Sequence, residues 1–134
     1  AQVHFGCDAR FITTPAGIHH LTKTFPQIVF IAAHMGGLTA PFEDIIRLLP
    51  AAQNLYLDTS NAAHTLQASE FIRLLKIHGP DRIIFGTDWP WFKPCEEIPI
   101  IEDLLDRAAF GPDDRSKVFG KNIAQLLGLY SPSL

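Results

Sequence analysis

Arg82-Ile83-Ile84-Phe85-Gly86-Thr87-Asp88-Trp89-Pro90 is the stretch that decides the fold of this chain. Ile83, Ile84 and Phe85 form an apolar run with no polar alternation. That is the pattern of a strand covered on both faces, as in a parallel sheet. Gly86 and Thr87 then lead into a crowded Trp-Pro turn, so the strand delivers one carboxylate, Asp88, at its C-terminal end. Two further segments have the same build with histidine in that place. Ile28-Val29-Phe30-Ile31-Ala32-Ala33 runs into His34, and Gln2-Val3-His4-Phe5-Gly6 carries His4. Three metal-type ligands at separate strand ends imply a metal-dependent hydrolytic site on one face of an α/β barrel.

The rest of the chain repeats this strand-then-helix rhythm. Strands are expected at Gln2–Phe5, Ile28–Ala33, Leu55–Asp58 and Arg82–Gly86, with starts 26, 27 and 27 residues apart. That spacing leaves room for a helical crossover each time, which parallel pairing requires. Thr14 before Pro15 reads as a helix N-cap, and the helix runs to about Thr24, where Phe25-Pro26 stops it. Pro41 opens a second helix that Pro50 ends. A third covers Leu66–Ile77, with Gly79-Pro80 behind it, and a fourth covers Ile98–Ala109. The tail is read as Asp113–Phe119, a Gly120 stop, then Asn122 capping Ile123–Leu127, with Gly128 past the end. Four βα units plus a terminal helix, over residues 1–134 as a single domain, are half of a TIM-type (β/α)8 barrel.

Composition narrows the partners. Hydrophobic residues at 47% against 19% charged describe a chain that can bury a core, not a disordered one. A net charge of -3 supplies no basic face for nucleic acid. No apolar stretch approaches the length of a membrane span. Cys7 and Cys95 form no spacing motif, which suits a reducing, cytoplasmic compartment. The expected partner is a small-molecule substrate. The chain begins inside a strand without Met, as a fragment or the second part of a larger domain would. A half-barrel leaves sheet edges unpaired, so either a homo-oligomer or the remainder of the barrel is expected to cover them.

Several segments together resemble one family. Phe25-Pro26-Gln27-Ile28-Val29-Phe30-Ile31-Ala32-Ala33-His34-Met35-Gly36-Gly37 is similar to the sixth-strand segment of the amidohydrolase-related branch of the amidohydrolase superfamily. Leu55-Tyr56-Leu57-Asp58-Thr59-Ser60 resembles its seventh strand, and Asp81 through Pro90 its eighth. Gly120-Lys121-Asn122-Ile123-Ala124-Gln125-Leu126-Leu127 resembles its closing helix, with Ile123 where Ala is usual. The resemblance implies a (β/α)8 barrel holding one or two divalent metals, often zinc. It implies hydrolysis of an amide, ester or lactone by a metal-activated water. The alternative on the same scaffold is a nonoxidative decarboxylase, for which Arg10 or Lys93 would hold the substrate carboxylate. A third possibility is a noncatalytic half-barrel that self-associates. By the same resemblance His4 is the fifth-strand ligand. His34 is a metal ligand or the group that polarises and protonates substrate. Asp88 is the eighth-strand carboxylate that touches the metal and takes a proton from its water. The family's first-strand His-x-His pair has no counterpart here.

Each residue also has a plainer reading. His34 can be structural, and Asp88 can cap the turn before Pro90. Asp58 either lines the site or bonds Thr59 or Ser60 in a turn. Trp89, Trp91 and Phe92 wall the pocket or belong to the core, and Arg10 is assigned to the substrate pocket. His19, His20, His64 and His78 read as solvated or helix-face residues, and Cys7 as a small buried hydrophobe. Ser60, His34 and Asp88 supply the residue types of a serine triad, but no Gly-x-Ser-x-Gly elbow accompanies them. His and Asp ligands suit zinc, manganese, iron and cobalt alike.

Overall fold

The computed structural model describes residues 14–129 together with Gln2 and Val3. At its centre lie four strands, β1 (Gln2–Val3), β2 (Phe30–Ala32), β3 (Leu55–Asp58) and β4 (Ile83–Ile84), each parallel to its neighbour and in sequence order. Register sets Ile31 beside Tyr56 and Leu57 beside Ile83. Phe30, Ala32, Leu55, Leu57 and Ile83 turn into one core shared with the surrounding helices. The opposite face carries Ile31 and Tyr56, both half-buried.

The strands are shorter than the apolar runs that produce them. Pro80 starts a 3-10 turn over Pro80–Arg82 and takes Arg82 out of the last strand. The Arg82 guanidinium instead donates to the carbonyls of Ala52, Pro50 and His78, locking the entry to β4 from below. At the other end the Phe85 N–H donates to the Val118 carbonyl, not to a strand. In β2 the Ile28 N–H is spent on the Phe25 carbonyl in a turn, so pairing begins only at Phe30.

Helix α1 (Pro15–Thr24) forms as its punctuation dictates. Thr14 Oγ1 accepts from the Gly17 N–H at 3.1 Å, and Pro15 fills the first position, where no N–H is needed. Helix α2 covers Phe42–Leu48, with Pro41 as its cap. The expected helix over Leu66–Ile77 is α4 (Ala68–His78), and a short helix with no counterpart in the sequence reading, α3 (Ala62–Thr65), precedes it. Leu66 is extended between them, and Glu70 Oε2 reaches back to the Gln67 N–H to start the second. Helix α5 (Pro94–Arg107) begins earlier than Ile98, because Pro94 occupies its first turn and the Glu96 carboxylate caps the Lys93 N–H.

The tail departs most from expectation. Helices α6 (Pro112–Ser116) and α7 (Asn122–Leu126) are joined by a wide π-type turn over Lys117–Lys121 that runs straight through Gly120. Asn122 is helical and is not an N-cap. Its buried Nδ2 donates to the carbonyls of Pro80 at 2.7 Å and Ile83 at 2.8 Å, pinning the tail to β4. Among the described residues no helix is long and apolar enough to cross a membrane.

Candidate active site

The C-terminal ends of β2, β3 and β4 are built from short polar turns that lean on one another. After β2 the chain enters a tight turn in which His34 (φ 58), Met35 (φ 52) and Gly36 (φ 98) all adopt left-handed backbone. Left-handed His and Met are costly and persist only where the surroundings hold them. Here the Asp58 carboxylate does so, since Oδ1 accepts from the His34 N–H at 3.1 Å. The same oxygen accepts from the Ser60 N–H at 3.0 Å and, very closely, from the Ser60 hydroxyl. Asp58 thus organises the turn through Ser60, and it also lies in the lining of a pocket beside His34.

His34 is 1% exposed, and its Nδ1 lies 2.8 Å from the Ser60 carbonyl. A carbonyl only accepts, so Nδ1 carries the hydrogen, and the tautomer this selects has its lone pair on Nε2. This also disposes of a serine nucleophile. Ser60 Oγ donates to Asp58 and meets His34 only at Nδ1, the nitrogen that already holds a proton.

Asp88 stands past β4 with φ 63 and receives the Asn61 side-chain amide, Nδ2 to Oδ2, at 3.2 Å. The β3 and β4 ends are stitched by Thr59, whose hydroxyl accepts from the Gly86 N–H and donates to the Gly86 carbonyl, both at 3.1 Å. Gly86 eases that approach, since a Cβ there would sit 3.3 Å from the Ser60 Cβ and the turn would have to give by a few tenths of an ångström.

His34, Asp58, Asp88 and Trp89 share one open pocket of about 320 Å³. Among the described residues, Trp91 and Lys93 do not join it. Trp91 is 78% exposed and outside the lining, and so is Lys93, an exposed residue. His4, Arg10 and Cys7 lie outside the described residues. Asn61 had no assigned role in the sequence, and Thr59, named as one turn partner for Asp58, bonds Gly86 instead; the signal for both was the polar cluster directly following an apolar strand. His19 and His20 sit on α1 as expected, with the former bonding the Leu48 carbonyl. His78 overturns its solvated reading. It is buried, and desolvation, with the Arg82 charge next, lowers its pKa from 6.5 to about 4.

An imidazole lone pair and carboxylates fit a divalent cation in type and in place. They do not fit it in number: among the described residues no three His, Cys, Asp or Glu side chains gather closely enough to hold one ion. A cation here needs ligands from beyond the described residues.

The amidohydrolase family profile matches residues 2–129, and the chain belongs to that family. No curated protein matches it. Among solved structures it is similar to a zinc-bound amidohydrolase from Burkholderia multivorans, at 20% identity and TM-score 0.68, over 87% of this chain and 49% of that one. An uncharacterised TIM-barrel protein from Bordetella bronchiseptica aligns at 23% identity and TM-score 0.68, over 96% of this chain and 45% of that one. A dihydroxybenzoic acid decarboxylase from a Polaromonas species, holding manganese and 2-nitroresorcinol, aligns at 20% identity and TM-score 0.58, over 88% and 39%. The chain thus spans about half the length of these barrels or less, and its fold is the corresponding part of a TIM barrel.

Proposed function

We propose that this chain supplies one wall of a metal-dependent hydrolase that cleaves a small amide, ester or lactone. The observation that supports it most is the convergence of His34 and Asp88, from β2 and β4, on a single pocket at the strand C-termini, where barrel enzymes keep their chemistry. His34, through Nε2, and Asp88 are the two described side chains that would hold the cation. The bound ion would supply Lewis acidity and a more acidic water.

The protein groups divide the remaining work. Asn61 occupies Asp88 Oδ2, so proton uptake from the attacking water falls to Oδ1. With its Nδ1 hydrogen held by the Ser60 carbonyl, His34 presents Nε2 as a ligand and has no proton to give, so the leaving group takes its proton from Asp88. Trp89, 69% exposed beside Asp88, offers the substrate an apolar face at the mouth.

The test is elemental analysis of protein purified without chelator, followed by a panel of lactones, esters and amides. Near-stoichiometric zinc or manganese with turnover on the panel is the expected result. Metal-loaded protein that hydrolyses nothing but releases carbon dioxide from a hydroxybenzoate would replace hydrolysis by decarboxylation. Absence of metal, with no gain on adding it, would sink both.

A further inference from the structure

Helix α3 makes three ties to the segment that follows β4, and only one of them reaches Asp88 directly. The first is the Asn61 amide on Asp88 Oδ2, from the residue just before α3. The second is a ring contact: His64 lies flat on Phe92, with centroids 4.1 Å apart and planes within 4°. The third is a hydrogen bond of 2.8 Å between His64 Nε2 and Glu97 Oε1 in the first turn of α5. Glu97 is 1% exposed, and its second oxygen is buried without a hydrogen-bond partner in the structure. A buried carboxylate resting on so little is expensive. A free surface helix would gain nothing by keeping it there, so its retention calls for a reason.

The loop between these ties has few bonds of its own among the described residues. Trp89 and Trp91 are exposed, and the Trp91 N–H to the Asp88 carbonyl is its internal turn bond. We infer that His64 is a positioning residue: clasped between Phe92 and Glu97, it holds residues 88–93 against α3 and so fixes where Asp88 stands. The inference rests on the proposed function only in treating Asp88 as a site residue. The clasp itself is a matter of loop order, whichever reaction the pocket performs.

Hydrogen exchange read by mass spectrometry tests it on the protein and on His64→Ala, His64→Gln and Glu97→Gln variants. Trp89 and Trp91 are the chain's only tryptophans, so their fluorescence anisotropy reports the same loop without labelling. Losing one buried hydrogen bond and one ring contact predicts exchange at the Trp91 amide about three- to tenfold faster in His64→Ala, with lower anisotropy. Amides of β2 and β3 should keep their rates. His64→Gln, which can still donate to Glu97 but cannot stack, should fall between and keeps the test open should the alanine variant fail to fold. Unchanged loop exchange in both His64 variants and in Glu97→Gln would overturn the clasp. Equal acceleration in loop and sheet would overturn it too, since His64 would then be an ordinary core contact. Failure of the proposed function instead appears in metal content and turnover, which this experiment does not read.

Discussion

Asp58 Oδ1 accepts from two backbone N–H groups and one hydroxyl, and those donors belong to the turns that carry His34 and Ser60. Asp58→Ala strands two buried N–H donors and frees a hydroxyl, so a loss of about 2–4 kcal/mol is expected in urea unfolding. Asp58→Asn keeps an acceptor in place and should lose less than half as much; equal losses would mean that charge, not hydrogen bonding, is what matters there. Asp88 makes the opposite prediction. Asp88→Asn should leave stability within about 0.5 kcal/mol of the parent. It should lower turnover about 10²- to 10⁴-fold, the usual worth of a positioned general base. Wild-type rates in that variant would remove Asp88 from the chemistry. His78 carries the pH dependence. Its folded pKa, about 4, lies below the ordinary histidine value of 6.5, so between those values the unfolded chain binds a proton that the fold refuses. Stability is therefore complete above about pH 6.5 and falls as pH drops towards 4, by on the order of 3 kcal/mol. His78→Gln, which can still reach the Arg82 carbonyl that His78 Nε2 contacts, should flatten that stretch of the profile. Of these residues, His34 and Asp88 were legible as donors at strand ends. The burial of His78 was not, because a histidine at a helix C-terminus looks the same in sequence whether water or Arg82 lies over it.

Elements followed their punctuation where it was local. Thr14-Pro15 starts α1 as read, and Gly79 ends α4. Reading failed where the decisive partner was distant. Asn122 looked like a cap because Asn favours caps. Its amide instead reaches carbonyls 42 and 39 residues away, at Pro80 and Ile83. That pair, with the Val118 carbonyl on the Phe85 N–H, does for the outer edge of β4 what a neighbouring strand would do. Asn122→Ala leaves those carbonyls without their donor, and a loss of about 2 kcal/mol in thermal or urea unfolding is expected. The damage should centre on β4 and the tail, seen as faster exchange at the Phe85 amide. If only α7 loosened, the amide would not be the pin. Helix α4 starts at Ala68 and not at Leu66, because Leu66 has ordinary helix propensity and only packing shows it extended.

At the scale of the molecule, a parallel sheet is stable when both its faces are covered. One face is, by the helices around Leu55, Leu57 and Ile83, while Ile31 and Tyr56 on the other remain half-buried, and Ile28 and Val29 are exposed beside them. The solved barrels this chain resembles are about twice its length or more, and the matching part of each is one portion of a closed ring. Sedimentation of this 134-residue chain alone should therefore show a dimer or larger species, built across the inner face and the β1 side because the β4 edge is already capped. A compact monomer at micromolar concentration would show that the inner face tolerates water.

The sequence by itself determined the order and kind of the elements, since apolar runs, prolines and glycines act over a few residues, and it marked strand ends that present His34 and Asp88. Only the tertiary structure decided which atoms of those side chains are committed. The Ser60 carbonyl sets the tautomer of His34, Asn61 takes one oxygen of Asp88, and His64 closes on Glu97 across 33 residues. The reason is physical. Hydrogen bonds of this kind depend on strand register and on the approach of separate turns to within about 3 Å, and that geometry exists only once the sheet has formed.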